Sequence, residues 1–292
     1  MKWRNLLAGG MAALRDAGSP EAAYDARELL AHISGMNREA YLLHMEEEAP
    51  EEAVLSYREL TARRAAREPL QYITGSAPFY GYEFSVRPGV LIPRFDTETL
   101  VSALLPHMKA GMRLLDLCTG SGCVLLTCLL EGPEGMRGIG CDVSETALSC
   151  AAENAEKLGV SAEFVRSDLF AELTGPFDII SANPPYIRTD EIPDLPEEVR
   201  DHEPRLALDG EGDGLAFYRR IISGAPAFLA ENGVLGLEIG CSQADDVEAL
   251  MRQYGFRDVR LYRDLAGLAR TVTGVKADNM KTEILGNDRN DR

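Results

Sequence analysis

The stretch LLDLCTGSGCV, residues 114–124, decides the fold class. An apolar strand candidate runs directly into a loop of small residues, and apolar residues typical of a buried helix follow it. Gly120 and Gly122 therefore lie where backbone passes close to a ligand at a helix N-terminus. A dinucleotide-binding loop of the pattern G-x-G-x-x-G needs a third glycine, whereas this chain has Leu125 there. Pyrophosphate binding is therefore the weaker interpretation.

Strands and helices alternate on both sides of this loop. The predicted strands are Arg113–Leu117, Gly138–Asp142, Ala162–Arg166, Phe177–Ala182, Val234–Ile239, Val259–Tyr262 and Leu268–Val272. The predicted helices are Gly122–Leu130, Glu145–Leu158, Leu215–Ala230 and Gln243–Tyr254. This rhythm predicts an α/β fold, a Rossmann-like, doubly wound, mainly parallel seven-stranded sheet covered by helices on both faces.

The residues before this region show different patterns of apolar spacing. Residues 1–70 show apolar residues at helical spacing and predict a small all-helical bundle, in which the arginines at 58, 63, 64 and 67 form a solvated helix surface. Residues 71–95 alternate around Gly81 and Pro88-Gly89, as in a β-hairpin linker. The sheet domain is expected over residues 96–275, and the polar, aperiodic residues 276–292 predict a flexible tail.

Composition narrows the possible partners and location. The 30 basic and 47 acidic side chains give a net charge of −17, which disfavours tight binding to nucleic acid or anionic membranes. No apolar run reaches the roughly 18 residues of a membrane span, and Arg15-Asp16 end the short apolar stretch that imitates a signal peptide. The expected location is the cytoplasm.

No metal site is predicted. The six cysteines form no C-x-x-C pair and no ligand set with the four histidines, so buried, reduced thiols are expected. The run DGEGDG at 209–214 imitates a calcium loop, but the twelfth position, which requires glutamate, is Arg220. A turn entering a helix is the better interpretation.

Three successive strand ends carry groups suited to an adenosine-containing cofactor. The D-x-x-x-G-x-G pattern from Asp116 to Gly122 resembles the first motif of class I S-adenosylmethionine-dependent methyltransferases. Asp142, which follows the second strand, has a carboxylate able to accept from two ribose hydroxyls, while Ser144 is better placed to cap the next helix. Asp168 can accept from an adenine amino group, and Leu169 can line the base.

The fourth strand ends in SANPPYI, residues 181–187. The two prolines have no N–H to donate and stop the strand in a fixed geometry. In a doubly wound sheet this end lies beside the first strand. Asn183 and the carbonyl of Pro184 can then accept hydrogen bonds from an –NH2 group, with Tyr186 packed on the planar group that carries it.

Over residues 20–275 the chain resembles the peptide chain release factor N5-glutamine methyltransferases. The segments that carry the resemblance include REPLQYITGSAPFYGYEFSVRPGVLIPR, LLDLCTGSGCV, GCDVSETALSCAAENA, SANPPYI, EPRLALDGEGDGLAFYRRII, GVLGLEIGCSQ and RDLAGLARTV. The resemblance implies methyl transfer from S-adenosyl-L-methionine to the glutamine amide of the Gly-Gly-Gln motif in class I release factors.

The resemblance also implies roles for particular residues. Cofactor binding would fall to Cys118, Thr119, Gly120, Ser121, Gly122, Asp142, Asp168, Leu169 and Asn183. Asn183, Pro184, Pro185 and Tyr186 would hold the glutamine and carry the catalysis. The helical domain would help to dock the release factor. Independently of the resemblance, a monomer is expected.

One segment departs from the family pattern, and two other functions remain open. Where the family has Pro-Glu, this chain has Phe95-Asp96, which puts the local contacts of that segment in question. An N6-adenine or other amino-methyltransferase of DNA or RNA shares the NPPY motif but needs a basic groove. A module that binds the cofactor and a release factor without turnover is the second alternative, and the intact NPPY argues against it.

Overall fold

The computed structural model describes residues 1–277, so the predicted flexible tail lies outside the described residues from residue 278 onward. The helices are α1 Trp3–Asp16, α2 Ala22–Ser34, α3 Arg38–His44, α4 Glu51–Ala65, α5 Leu70–Thr74, α6 Glu98–Leu104, α7 Cys123–Glu131, α8 Glu145–Leu158, α9 Glu197–His202, α10 Arg205–Leu208, α11 Ala216–Phe228 and α12 Ala244–Gln253. The strands are β1 Ser76–Phe79, β2 Tyr82–Ser85, β3 Arg113–Leu117, β4 Arg137–Asp142, β5 Ala162–Arg166, β6 Phe177–Ala182, β7 Leu229–Glu238, β8 Phe256–Arg263 and β9 Ala269–Lys276.

The described residues form two compact units. One contains residues 1–76, 86–88 and 194–203, and the other contains residues 77–85 and 89–193 with the described residues from 204 onward. The segment 194–203, which the sequence places inside the sheet domain, thus belongs to the helical unit. Helix α6, for which the sequence predicted no element, belongs to the sheet unit.

In the helical unit, α1, α2 and α4 pack around a core that includes Leu14, Leu29 and Tyr57. The Tyr57 hydroxyl donates to the carbonyl of Ala26 at 3.0 Å. The prediction of a solvated helix surface is wrong for Arg64, which is only 4% exposed. Its guanidinium is held by carboxylates from two other segments, since it donates to Asp25 at 2.9 Å and to Glu198 at 2.8 Å.

The sheet unit contains the predicted seven-stranded sheet, in the order β5-β4-β3-β6-β7-β9-β8. The first five strands in this order are parallel, and β9 runs antiparallel to both of its neighbours. The strand order reverses at β3, so the crevice at the carboxyl ends of β3 and β6 is where a doubly wound sheet binds its ligand. Leu117 pairs with Ala182, which confirms that the NPPY segment begins beside the loop after β3.

Alternation along the central strands gives the sheet two buried faces. Leu114, Ile179 and Val234 belong to one apolar cluster, which also contains residues of α6, α7 and the hairpin. Leu115, Ile180 and Leu235 belong to the other, together with residues of α11 and α12. The predicted hairpin is present as β1 and β2, joined at Tyr80 and Gly81, both with positive φ as a tight two-residue turn requires.

Candidate active site

The loop after β3 is held by contacts from β4 and α8. The N–H of Thr119 donates to the carbonyl of Cys141 at 3.0 Å, and the N–H of Gly120 donates to Asp142 Oδ2 at 3.1 Å. Asn154 donates to the carbonyl of Ser121 at 2.9 Å. At Gly122, φ is +79° and an added Cβ would lie 3.1 Å from the Ala151 Cβ, so both backbone conformation and close helix packing require glycine.

Asp116, at the penultimate position of β3, connects this loop to β6. Its Oδ2 accepts from the Thr119 hydroxyl at 2.7 Å and its Oδ1 accepts from the Ser181 hydroxyl at 2.7 Å. Burial raises the pKa of Asp116 to about 6, although both hydroxyl bonds oppose the rise. The sequence pattern placed Asp116 in the motif, but its role as the polar link between two strand ends depends on the sheet order.

Asp142 lies at the carboxyl end of β4 with each oxygen already accepting one backbone N–H. Oδ2 accepts from Gly120 at 3.1 Å and Oδ1 from Ser144 at 2.9 Å. Each carboxylate oxygen keeps a further lone pair for a ligand hydroxyl. The Ser144 side chain accepts from the N–H of Ala147, which confirms that serine as the cap of α8.

Asp168 has a partner that the sequence did not reveal. Both of its carboxylate oxygens accept from Arg220 Nη2 at 2.8 Å, and the guanidinium of Arg220 lies 5.8 Å from the ring centroid of Phe217. Phe217 lines the same cavity as Asp168 and Leu169. The ion pair is exposed, so it leaves lone pairs of Asp168 accessible.

The side chains of the NPPY segment point in different directions. Asn183 lines the cavity, and its Nδ2 donates to Thr97 Oγ1 at 3.4 Å. Pro184 and Pro185 are buried. The Tyr186 hydroxyl donates to Glu238 Oε1 at 3.4 Å, and burial raises the pKa of this phenol above its ordinary value.

The loop 209–214 supports the backbone of the NPPY segment. An added Cβ at Gly210 would lie 2.7 Å from Tyr186 Cα, and one at Gly214 would lie 2.5 Å from Tyr186 O. Gln243 donates to the carbonyls of both Tyr186 and Gly214, at 3.0 and 3.1 Å. The run DGEGDG is therefore glycine-rich because two backbones approach closely here, in keeping with the predicted turn before α11.

One cavity of the sheet unit brings most of the predicted site residues together. Those that line it are Cys118, Thr119, Gly120, Ser121, Asp142, Asp168, Leu169, Asn183 and Pro185. Gly122, Pro184 and Tyr186 are not part of the lining. Arg94, Thr97, Asp116 and Phe217 also line the cavity and were not among the predicted site residues.

The cavity suits an adenosine-containing cofactor on three observations. The Ser121 hydroxyl is buried in the lining and has no hydrogen-bond partner within residues 1–277. An added Cβ at Gly120 would meet nothing within 4 Å, which leaves this backbone open to a ligand. Carboxylates at two neighbouring strand ends supply acceptors for hydroxyl and amino groups.

Phe95 and Asp96, the two residues that depart from the family pattern, lie just before α6 and next to Thr97 of the cavity lining. Phe95 is 71% exposed, and Asp96 forms an ion pair with Arg270 at 3.0 Å. Thr97, the next residue, is buried and accepts from Asn183. Asp96 thus has a charged partner on β9.

The cysteines are free thiols, and the prediction of burial is wrong for Cys241, which is exposed. Cys123, Cys128, Cys141 and Cys150 are buried, and Cys118 is partly buried in the cavity lining. Burial raises the pKa of the Cys118 thiol.

Within the described part of the chain, no three His, Cys, Asp or Glu side chains are grouped to hold a metal ion. Between residues 1 and 277, every helix is too short or too polar to cross a bilayer.

The fold and site define a Rossmann-like S-adenosylmethionine-dependent methyltransferase. A family model described as PrmC N-terminal domain matches residues 5–75, and one described as methyltransferase small domain matches residues 83–199. A solved methyltransferase from Pyrococcus furiosus shares the fold, with a TM-score of 0.51 and 16% identity over 76% of this chain and 99% of that one.

Comparison with curated relatives gives the particular family. A release factor glutamine methyltransferase from Agrobacterium fabrum is 40% identical over 268 residues, which span 89% of this chain and 92% of that protein. One from Cereibacter sphaeroides is 42% identical over 275 residues, covering 94% and 98%. This chain belongs to the release factor glutamine methyltransferase family.

Proposed function

We propose that this protein transfers a methyl group from S-adenosyl-L-methionine to the side-chain amide nitrogen (N5) of the glutamine in the Gly-Gly-Gln motif of class I peptide chain release factors. The observation that carries the proposal is the shared cavity, in which Asn183 lies with the loop after β3 and the strand-end acids Asp142 and Asp168. A donor and an acceptor of the methyl group thus have binding groups in one cavity, as transfer between them requires.

The cofactor supplies an electrophilic methyl group on a sulfonium. Cys118 to Gly122 would form the loop around its methionine and ribose, Asp142 would accept from the ribose hydroxyls, and Asp168 with Leu169 would receive the adenine. Asn183 closes the cofactor site toward the substrate. These roles follow the family pattern residue by residue.

The substrate nitrogen is a weak nucleophile because its lone pair is delocalised into the carbonyl. Asn183 Oδ1 and the carbonyl of Pro184 accept from its two N–H groups and hold the nitrogen in line with the methyl group. Two fixed acceptors stabilise the pyramidal nitrogen of the transition state more than the planar ground state. A strong general base is unnecessary, because the methylated amide cation loses its proton readily to water.

Residues 1–70 form the docking domain for the release factor in this proposal, residues 71–95 the linker and residues 96–275 the methyltransferase domain. The charge of −17 favours a protein substrate over nucleic acid. We further propose that the enzyme acts as a monomer in the cytoplasm.

Mass spectrometry of an unmethylated class I release factor, incubated with this protein and S-adenosylmethionine, tests the proposal. The expected result is a gain of one methyl on the Gly-Gly-Gln glutamine, reduced at least about a hundredfold by Asn183→Ala, because one preorganised polar contact is worth that much. Calorimetry should show that the variant still binds the cofactor. A release factor with the glutamine replaced by glutamate is the substrate control. Methylation of DNA or RNA without any gain on the release factor would overturn the proposal.

A further inference from the structure

Two buried side chains outside the predicted site contact the polar residues of the NPPY segment. Thr97 Oγ1 accepts from Asn183 Nδ2, and Glu238 Oε1 accepts from the Tyr186 hydroxyl, both at 3.4 Å. Thr97 is 2% exposed and Glu238 is 1% exposed. Glu238 Oε2 is buried and, among the described residues, has no hydrogen-bond partner. A carboxyl group so placed needs a functional reason, because burying it is costly.

Burial and the neighbouring groups together place the pKa of Glu238 near neutral pH. Burial raises the pKa of Glu238 to about 7, while the Thr97 hydroxyl, the charge of Arg270 and the Tyr186 hydroxyl lower it and Asp96 raises it. Arg270 is itself shared with two other carboxylates, Asp96 at 3.0 Å and Asp264 at 3.2 Å. The other titratable neighbours are Cys123, a buried thiol on α7, and Tyr218, whose hydroxyl donates to the Glu238 backbone carbonyl at 2.9 Å.

Asn183, Thr97 and Glu238 follow one another as a polar chain, because Thr97 accepts from Asn183 and its hydroxyl also lies near enough to the Glu238 carboxyl to lower the pKa of that group. Because Thr97 has a single hydroxyl proton to donate, this chain is directional. When that proton is donated to an ionised Glu238, Thr97 can only accept from Asn183, so the amide –NH2 faces Thr97. The Asn183 oxygen is then free for the cavity. A neutral Glu238 can donate to Thr97 instead, and the Thr97 proton then favours the opposite orientation of the Asn183 amide.

We propose that Thr97 and ionised Glu238 are positioning residues that fix the Asn183 amide with its oxygen toward the substrate amide. The inference rests on the proposed function, since a methyl-accepting –NH2 group requires an acceptor at this position. Tyr186 donates to the same carboxylate, so in this proposal Glu238 supports the NPPY segment at both Asn183 and Tyr186. Neither side chain needs to touch the substrate.

Steady-state kinetics of three variants test the proposal. Thr97→Val preserves shape without the hydroxyl, Thr97→Ser preserves the hydroxyl, and Glu238→Gln can donate to Thr97 and so permits the reversed chain. We expect kcat to fall about tenfold to a hundredfold in Thr97→Val and Glu238→Gln, with KM for both substrates within about twofold. Thr97→Ser should stay within about threefold of the wild type. The double variant should be no worse than either single variant, because both break one chain.

The pH profile separates positioning from simple stability. Wild-type kcat should fall as the pH decreases through about 7, where Glu238 gains its proton, and this limb should be absent in Glu238→Gln. Asp116 is present in both proteins, so its own titration cancels in the comparison. Equal losses in Thr97→Ser and Thr97→Val, or a Glu238→Gln profile identical to that of the wild type, would overturn the proposal.

A spectroscopic measurement tests the inference without relying on turnover. In the nitrogen-15 NMR spectrum, the Asn183 side-chain –NH2 signals, assigned by their loss in Asn183→Asp, should titrate near pH 7 in the wild type and not in Glu238→Gln. If the wild type fails to methylate a release factor but this titration is present, the proposed function fails and the positioning chain stands. If methylation occurs without the titration, the positioning chain fails alone.

Discussion

In the half of the cavity formed by the loop after β3, most contacts come from the motif itself and the strand next to it. The Thr119 hydroxyl donates to Asp116, and the N–H of Gly120 donates to Asp142. In the half that contains Asn183, the supporting groups come from segments far apart in the chain, namely Thr97, loop 209–214, Glu238 and Gln243. The cofactor half is therefore largely local, whereas the substrate half depends on assembly of the whole sheet unit.

Crowding the loop behind Tyr186 should lower both stability and activity. Gly214→Ala places a Cβ only 2.5 Å from the Tyr186 carbonyl oxygen, at a residue with φ of +73°. We expect the free energy of unfolding to fall by about 2–3 kcal/mol and kcat to fall about tenfold. Chemical denaturation and release factor methylation measure the two effects.

Gly212 provides the matched control in the same loop. It is exposed, and an added Cβ would meet nothing within 4 Å. Gly212→Ala should change the unfolding free energy by less than about 0.5 kcal/mol. Equal effects of the two substitutions would show that the loop does not support the NPPY segment.

The two buried acids, one in each half, should differ in the pH range over which they affect stability. Both have folded pKa values above their ordinary ones, so the folded state binds their protons more tightly and stability falls as the pH rises between the two values. That range is 3.8 to about 6 for Asp116 and 4.5 to about 7 for Glu238. Above these ranges, neither adds further pH dependence.

Glu238→Gln should therefore gain stability relative to the wild type as the pH rises from about 4.5 to 7, by an amount on the order of 3 kcal/mol. Asp116→Asn should complete its relative gain by about pH 6. Urea unfolding at pH 4.5, 6 and 8 distinguishes the two. Coincident ranges would mean that the two carboxyl groups have equivalent surroundings.

The smallest expected effect concerns the exposed edge of the cofactor half. Asp168→Asn should raise the Kd for S-adenosylmethionine about threefold to tenfold, since one hydrogen bond is weakened, and leave kcat unchanged. Calorimetry measures the affinity. Arg220→Ala is the matched control, because it removes the ion-pair partner and keeps the carboxylate. It should change stability by less than about 1 kcal/mol, since the pair is exposed. An equal loss of affinity in both variants would mean that the ion pair, not the carboxylate alone, receives the adenine.

The fold was readable from the sequence because periodicity and turn residues are local signals. Strands β3, β5 and β6 and helix α8 begin and end where the pattern predicts. Helix α6 was missed, and Arg64 was assigned to the surface, because neither carries a local sign of its tertiary partners. The carboxylates that hold Arg64 come from positions 25 and 198, and no spacing rule connects them.

By itself, the sequence determined the order of strands and helices, the glycine loop after β3, the acids at the next two strand ends and the rigid Asn-Pro-Pro-Tyr turn. These features depend on backbone geometry within a few residues, which residue type fixes directly. Only the tertiary structure decided that Thr97 and Glu238 meet the NPPY segment, that Arg220 pairs with Asp168 and that loop 209–214 lies behind Tyr186. Such contacts arise when the sheet order brings distant segments together, and burial then sets their protonation and hydrogen bonding.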